Sequence, residues 1–172
     1  MKAKVRALII LLSLCVIFGL TYALLPGERQ APVRESADDA ILITDIPVGE
    51  LLALAVTNSN GSFGILNSPD GIRFVTDTDG SFSASQMRAL VYLACHLTGR
   101  TLDIPPTADD IANSIARYTL ILTGGSEINF AVLRKSPVGE DYFLFSEDHQ
   151  SIFRISGKDA EWFLSSAEDF LE

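Results

Sequence analysis

The sequence predicts an α+β fold: an N-terminal transmembrane helix, then one domain of two antiparallel β-meander-plus-helix units. Three observations predict it. Residues 7–25 contain no charge and follow Lys2, Lys4 and Arg6. Short β-compatible runs then alternate with Gly-, Pro- and Asn-containing turns. Finally, two segments place apolar residues at helical spacing, each behind a serine.

The first segment is nineteen residues long. As a helix it measures roughly 28 Å, close to the ~30 Å hydrocarbon core of a bilayer. The three cations before it predict a cytoplasmic N-terminus, with everything beyond Pro26 extracytoplasmic. A cleaved signal peptide has a similar start, but its apolar stretch is usually only ~7–15 residues. Thr21-Tyr22-Ala23 is also a poor small-x-small cleavage site. Leu12-Ser13-Leu14-Cys15 puts Leu14 where lipoprotein processing needs a small residue, and the apolar run continues past Cys15. The expectation is an uncleaved anchor over 1–26, in the bilayer through residues 7–25, and a linker over 27–40. The linker sequence GERQAPVRESADD mixes charge with proline and has no apolar period.

Residues 41–172 are enough for one domain with its own core. All 22 acidic residues follow the anchor, against 10 of the 13 lysines and arginines, so this part carries −12. Such a surface repels phosphate backbones, and nucleic acid is not an expected partner. Cys15 and Cys95 lie in the membrane segment and a helix, so no disulfide within one chain is expected. Cys95 reads as a small, partly buried apolar residue.

The elements follow in order. Ile41 to Ile46 reads as a strand ended by Pro47. Leu51 to Thr57 is a strand, and Asn58-Ser59-Asn60-Gly61 a hairpin turn in which Asn-Gly supplies positive φ. Phe63 to Leu66 returns, Ser68-Pro69-Asp70-Gly71 turns, and Ile72 to Thr76 is the third strand of this meander. Ser83 and Gln86 fit a capping box. Met87, Leu90, Val91, Ala94 and Leu97 fall on one face of the helix behind it, with His96 on the opposite face and Gly99 as C-cap. Leu102 to Pro106 is a connector. Thr107 and Asp110 cap a short helix reaching toward Ala116. Strands over Tyr118–Leu122, Ile128–Arg134, Tyr142–Phe145 and Ile152–Ile155 follow, joined by turns at Gly124-Gly125, Ser136–Gly139 and Glu147–Gln150. Ser156 and Asp159 open a last helix with a stripe of Ala160, Phe163, Leu164, Ala167, Phe170 and Leu171.

SFGILNSPDG in the first half parallels NFAVLRKSPVG in the second, Phe63 matching Phe130 and Leu66 matching Leu133. This suggests an internal repeat over 51–99 and 118–172.

ARYTLILTGG, NFAVLRKSPVGEDYFLF and SIFRISGKDAEWFL resemble a bacterial membrane-anchored domain-of-unknown-function family. Its members carry repeated β-meander-plus-helix units, and some are encoded beside gliding-motility-type ABC-transporter components. ADDIANSI departs from that family's pattern, where a Tyr-Gly-Leu…Pro segment is expected before Ala116. The resemblance implies location, fold and a link to a membrane complex. It brings no catalytic residues.

The search for chemistry finds no constellation. His96 and His149 are the only histidines. There is no Ser-x-x-Lys, no nucleophile elbow, no zinc-type cysteine cluster and no phosphate loop. Asp77-Thr78-Asp79-Gly80 matches the start of a calcium loop, but the twelfth position is Arg88, a cation. No catalytic, cofactor or metal site is therefore expected. Phe130, Tyr142, Phe143, Phe145, Phe153, Trp162, Phe163 and Phe170 read as one core against the last helix. The strand Tyr142 to Phe145 is apolar on both faces. It is either central and covered twice, or it exposes Tyr142, Phe143 and Phe145 as a partner surface. Three functions are weighed: an interaction or scaffold module of an envelope complex, accessory to an ABC transporter; a small-molecule or peptide binder with a cleft between its two units; and, ranked last, a hydrolase using dispersed carboxylates.

Overall fold

The computed structural model describes residues 40–172. The anchor over 1–26 and the linker up to residue 39 lie outside the described residues. No helix among the described residues is long and apolar enough to cross a membrane.

Nine antiparallel strands form one sheet: β1 (Ile41–Leu42), β2 (Leu51–Asn58), β3 (Gly61–Ser68), β4 (Gly71–Val75), β5 (Thr98–Leu102), β6 (Ala116–Leu122), β7 (Glu127–Lys135), β8 (Tyr142–Ser146) and β9 (Ser151–Ile155). Their spatial order is β1-β5-β9-β8-β7-β6-β2-β3-β4. Among the described residues three α-helices accompany them: α1 (Ala84–Cys95), α2 (Ala108–Ala112) and α3 (Gly157–Leu164). The α+β class is as expected.

The two meanders do not face each other across a gap. β2 pairs with β6 from Leu51↔Leu122 to Asn58↔Ala116, with a bulge between Leu51 and Ala53. The chain then passes through α1 to β5, which pairs with β9. The junction where a cleft was expected is thus a hydrogen-bonded strand pair.

α1 and α3 cover one face. Met87, Leu90, Val91, Ala94 and Leu97 all pack into the main core, with Leu54, Val56, Phe63, Ile65, Tyr118, Leu120, Phe130, Phe153, Phe163 and Phe170. Cys95, expected to be partly buried, is fully buried among them. A second, smaller cluster lies on the other face: Leu102, Ala131, Leu133, Phe143, Phe145 and Ile152, against Ile104 and Ile111. The expected single aromatic core is therefore split by the sheet. Alternation along β8 sends Leu144 to the helix side and Phe143 and Phe145 to the other.

Several local expectations change for identifiable reasons. Ser83 is the N-cap of α1, but its side chain caps nothing. Its N–H, which Gln86 would need for a capping box, donates instead to the Phe170 carbonyl at 2.8 Å. The Gln86 side-chain oxygen is left buried without a partner. Gly99 is not a helix cap. α1 ends at Cys95 because Thr44 intervenes: its hydroxyl donates to the Ala94 carbonyl at 2.9 Å and accepts from the Leu97 N–H at 2.7 Å. The chain then turns extended into β5, a strand whose sequence TGRTL has no apolar period. A Cβ on Gly99 would lie 2.8 Å from the Arg154 carbonyl oxygen and 2.7 Å from Ile43. The first strand is only Ile41–Leu42, although residues 43–46 stay tied to Leu97 and Cys95 by backbone bonds. α2 stops at Ala112, short of Ala116.

The last helix is also shorter than its stripe suggested. α3 stops at Leu164, and a 3-10 turn over Ala167–Phe170 carries Phe170 into the core. The stop is made by the β2–β3 hairpin. Asn58 donates from its amide to the carbonyls of Phe163 (3.0 Å) and Ser165 (2.8 Å), and Asn60 to that of Leu164 (2.9 Å). These are carbonyls that a helix end leaves without intrahelical partners. The asparagines serve through their side chains, and only Gly61 takes positive φ, at 126°. Gly71 repeats that value after Pro69-Asp70.

Candidate functional site

The three residues expected as a partner surface do not form one. Phe143 and Phe145 are 5% and 6% exposed. Tyr142 is half-buried against the main core. β8 lies between β7 and β9, and the segment bearing Ile104 and Ile111 covers its outer face. Arg134 also sits over the Phe143 ring at 5.6 Å, held by an ion pair to Asp110. Of the two readings, the central, doubly covered strand is the one found.

The remaining polar candidates serve the fold. His96 stacks on Tyr92 at 4.5 Å, its Nδ1 3.1 Å from the Tyr92 carbonyl. His149 reaches the Ile43 carbonyl through Nε2 at 3.1 Å. The histidines thus bind backbone in separate parts of the molecule. Asp77 and Asp79 lie in a turn, with Gly80 close against Leu171. Among the described residues no three His, Cys, Asp or Glu side chains come together as metal ligands.

Open cavities line several parts of the described residues. A polar groove of about 540 Å³ runs between the β2–β3 turn, Thr76–Thr78 and Ser165–Asp169. Its asparagines are those that stop α3. A second, of about 360 Å³, holds Arg100 and Arg154, which oppose each other across β5 and β9. Like charges in that position repel, and Asp141 bonds Arg154 Nε at 2.6 Å. The third, about 350 Å³, lies where the covered part of the sheet's second face meets its open part, between Ile111 and Thr119.

That open part is the feature sequence reading missed. Over β7, β6, β2, β3 and β4 the second face consists of short rows set by register. One row is Glu127, Ile121, Ala53, Leu66 and Arg73. The next is Asn129, Thr119, Ala55, Gly64 and Val75. Leu66 and Val75 are 44% and 51% exposed. Thr119 donates its hydroxyl to Asn129 Oδ1 at 2.7 Å. The first row carries a charge at each end, Glu127 and Arg73, and neither forms an ion pair among the described residues. Beyond the second row Arg117, in register with Thr57, donates from its guanidinium to Ser114 Oγ and the Ile111 carbonyl. A sheet face normally buries its apolar side against another layer. Here helices cover one face, while the other stays open over parts of five strands, β7 being covered at Ala131 and Leu133. The alternation in LLALAVTN and SFGIL carries this information, but alanine and glycine at alternate positions give no polar signal to mark an exposed face.

Comparison with family models, with curated proteins and with solved structures finds no match.

Proposed function

We propose that this chain is a membrane-anchored, extracytoplasmic interaction or scaffold module of a bacterial envelope complex, accessory to an ABC-transporter-type assembly. The observation that carries the interaction reading is the open sheet face, with Leu66, Val75 and Ile121 set among small residues. Contiguous apolar surface of this kind marks docking sites in soluble domains. Location rests on the uncharged run of residues 7–25 behind three cations. The resemblance to the anchored meander-plus-helix family supports the same reading, and with it the two-unit repeat. Phe63 and Phe130 share the helix-covered face, and Gly71 and Gly139 both take positive φ in equivalent turns. Leu66 and Leu133, also equivalent, both point to the second face, one in its open part and one in its covered part.

The ligand-binder alternative called for a cleft between the units, and β2–β6 pairing fills that place. The test is cross-linking of tagged full-length chain in intact cells, followed by mass spectrometry. Recovery with a defined membrane complex or with a second copy is the expected result. Recovery of the chain alone would overturn the proposal.

A further inference from the structure

We infer that the partner on the open face is a second copy of this chain, packed sheet-on-sheet about a two-fold axis that runs close to β2. The inference rests on reading that face as an interaction surface and names its occupant.

The argument is one of symmetry and charge. The five open strands run β7-β6-β2-β3-β4, so β2 is the middle one. Arg73 lies two strands to one side of β2 and Glu127 two strands to the other, both in the row that crosses β2 at Ala53. With neighbouring strands ~4.8 Å apart, each charge stands about 10 Å from the centre line. A two-fold axis along β2 exchanges the two sides and keeps the row. It therefore sets Arg73 of one copy over Glu127 of the other, twice per dimer. The same operation puts Leu66 over Ile121 and Ala53 over Ala53 of the second copy. Inclining the axis by about 15° to β2 gives the roughly 30° crossing of aligned sheets. In these rows no acidic residue opposes another, and Arg117 of one copy falls over Ser62 of the other, although this part of the chain carries −12. An acidic chain approaching its own copy is repelled over most of its surface. This face is where that repulsion reverses.

Edge pairing of two copies is disfavoured by the same residue. A second β4 added antiparallel to Ile72–Phe74 would set Arg73 directly against Arg73, a like-charge pair.

The face is about 24 Å wide and some 20 Å long, of the order of 500 Å² per copy. That is the low end of specific interfaces. Association is therefore expected where the chain is concentrated in a membrane, and the test is made there. Full-length chain carrying Cys15→Ser and Ala55→Cys is treated in isolated membranes with a short bis-maleimide. Cys95 stays, being fully buried. Tyr92→Cys, exposed on the helix side, is the control. The expected result is a covalent dimer through position 55 at least tenfold above the control. Arg73→Glu or Glu127→Arg alone should lower its yield severalfold, and the two together should restore it. Control-level dimer at position 55, or a double reversal no better than the singles, overturns the inference. If a different envelope protein is captured at position 55 in place of the dimer, the second copy is wrong while the interaction reading stands. Capture of neither removes both.

Discussion

Tyr118 is the most exposed to test among single residues, because it is buried with a defect. Its ring is stacked between Phe163 at 4.0 Å and Phe130 at 4.7 Å, and its hydroxyl has no hydrogen-bond partner. A buried unpaired polar group costs about 1–3 kcal/mol. Tyr118→Phe should therefore stabilise the domain by about 1 kcal/mol, read as a higher urea midpoint at neutral pH. Burial also raises the Tyr118 phenol well above its ordinary value and pushes the Cys95 thiol from 9.0 up to about 11. Both groups keep their protons in the fold where the unfolded chain releases them. Their contribution is thus fully present below pH 9 and is lost as pH climbs toward about 11. The urea midpoint should fall over that window, and Tyr118→Phe should make the fall shallower. Gly157 gives a steric test. A Cβ there would collide with the Glu140 carbonyl oxygen, whereas one on Gly124 meets nothing within 4 Å. Gly157→Ala should cost about 1–3 kcal/mol and Gly124→Ala much less, by the same measurement.

At the scale of elements, two helices are ended by side chains from distant segments of the chain. Thr44 ends α1, and Asn58 with Asn60 ends α3. Asn58→Ala leaves two carbonyls without donors and should cost about 2 kcal/mol. Thr44→Val keeps shape but strands a buried N–H and C=O, and should cost at least as much. Urea unfolding checks both, and an Asn58→Ala chain as stable as the parent would contradict the capping account. These contacts explain what the sequence could and could not reveal. The helix stripes and the meander turns were legible, because apolar period and turn glycines are local signals. The N-caps Thr107 and Ser156 were legible too, each accepting from the amide three residues on; the C-terminal helix ends and the Ser83 box were not. Gln86 has the spacing of a capping box, yet the amide it would serve is taken by Phe170, 84 residues further along. β5 was missed for a similar reason: TGRTL becomes a strand through pairing with β9 and β1, and nothing in its composition requires it. The candidate site was misplaced because Phe143 and Phe145 are the conspicuous apolar residues, and α2 with its flanks covers them. The true open face is written in alanine, glycine and threonine.

At the scale of the whole molecule, one sheet is closed by helices on one side and left half open on the other. That asymmetry, joined to an N-terminal run long enough for a bilayer, is what the interaction account explains. The account predicts that protease added to spheroplasts digests a C-terminal tag without lysis of the cells. Protection of the tag until lysis would reverse the assigned orientation. The central claim is about which face makes contact. The measurement that tests it most directly is photo-cross-linking in intact cells with a reactive residue at position 66 or, for comparison, at position 92. Both native side chains are exposed, Leu66 at 44% and Tyr92 at 62%, and they lie on opposite sides of the sheet. The account predicts a discrete protein adduct from position 66, of twice the chain's mass if the partner is its own copy, and none from position 92. Equal adducts from both positions, or an adduct from position 92 alone, would contradict it.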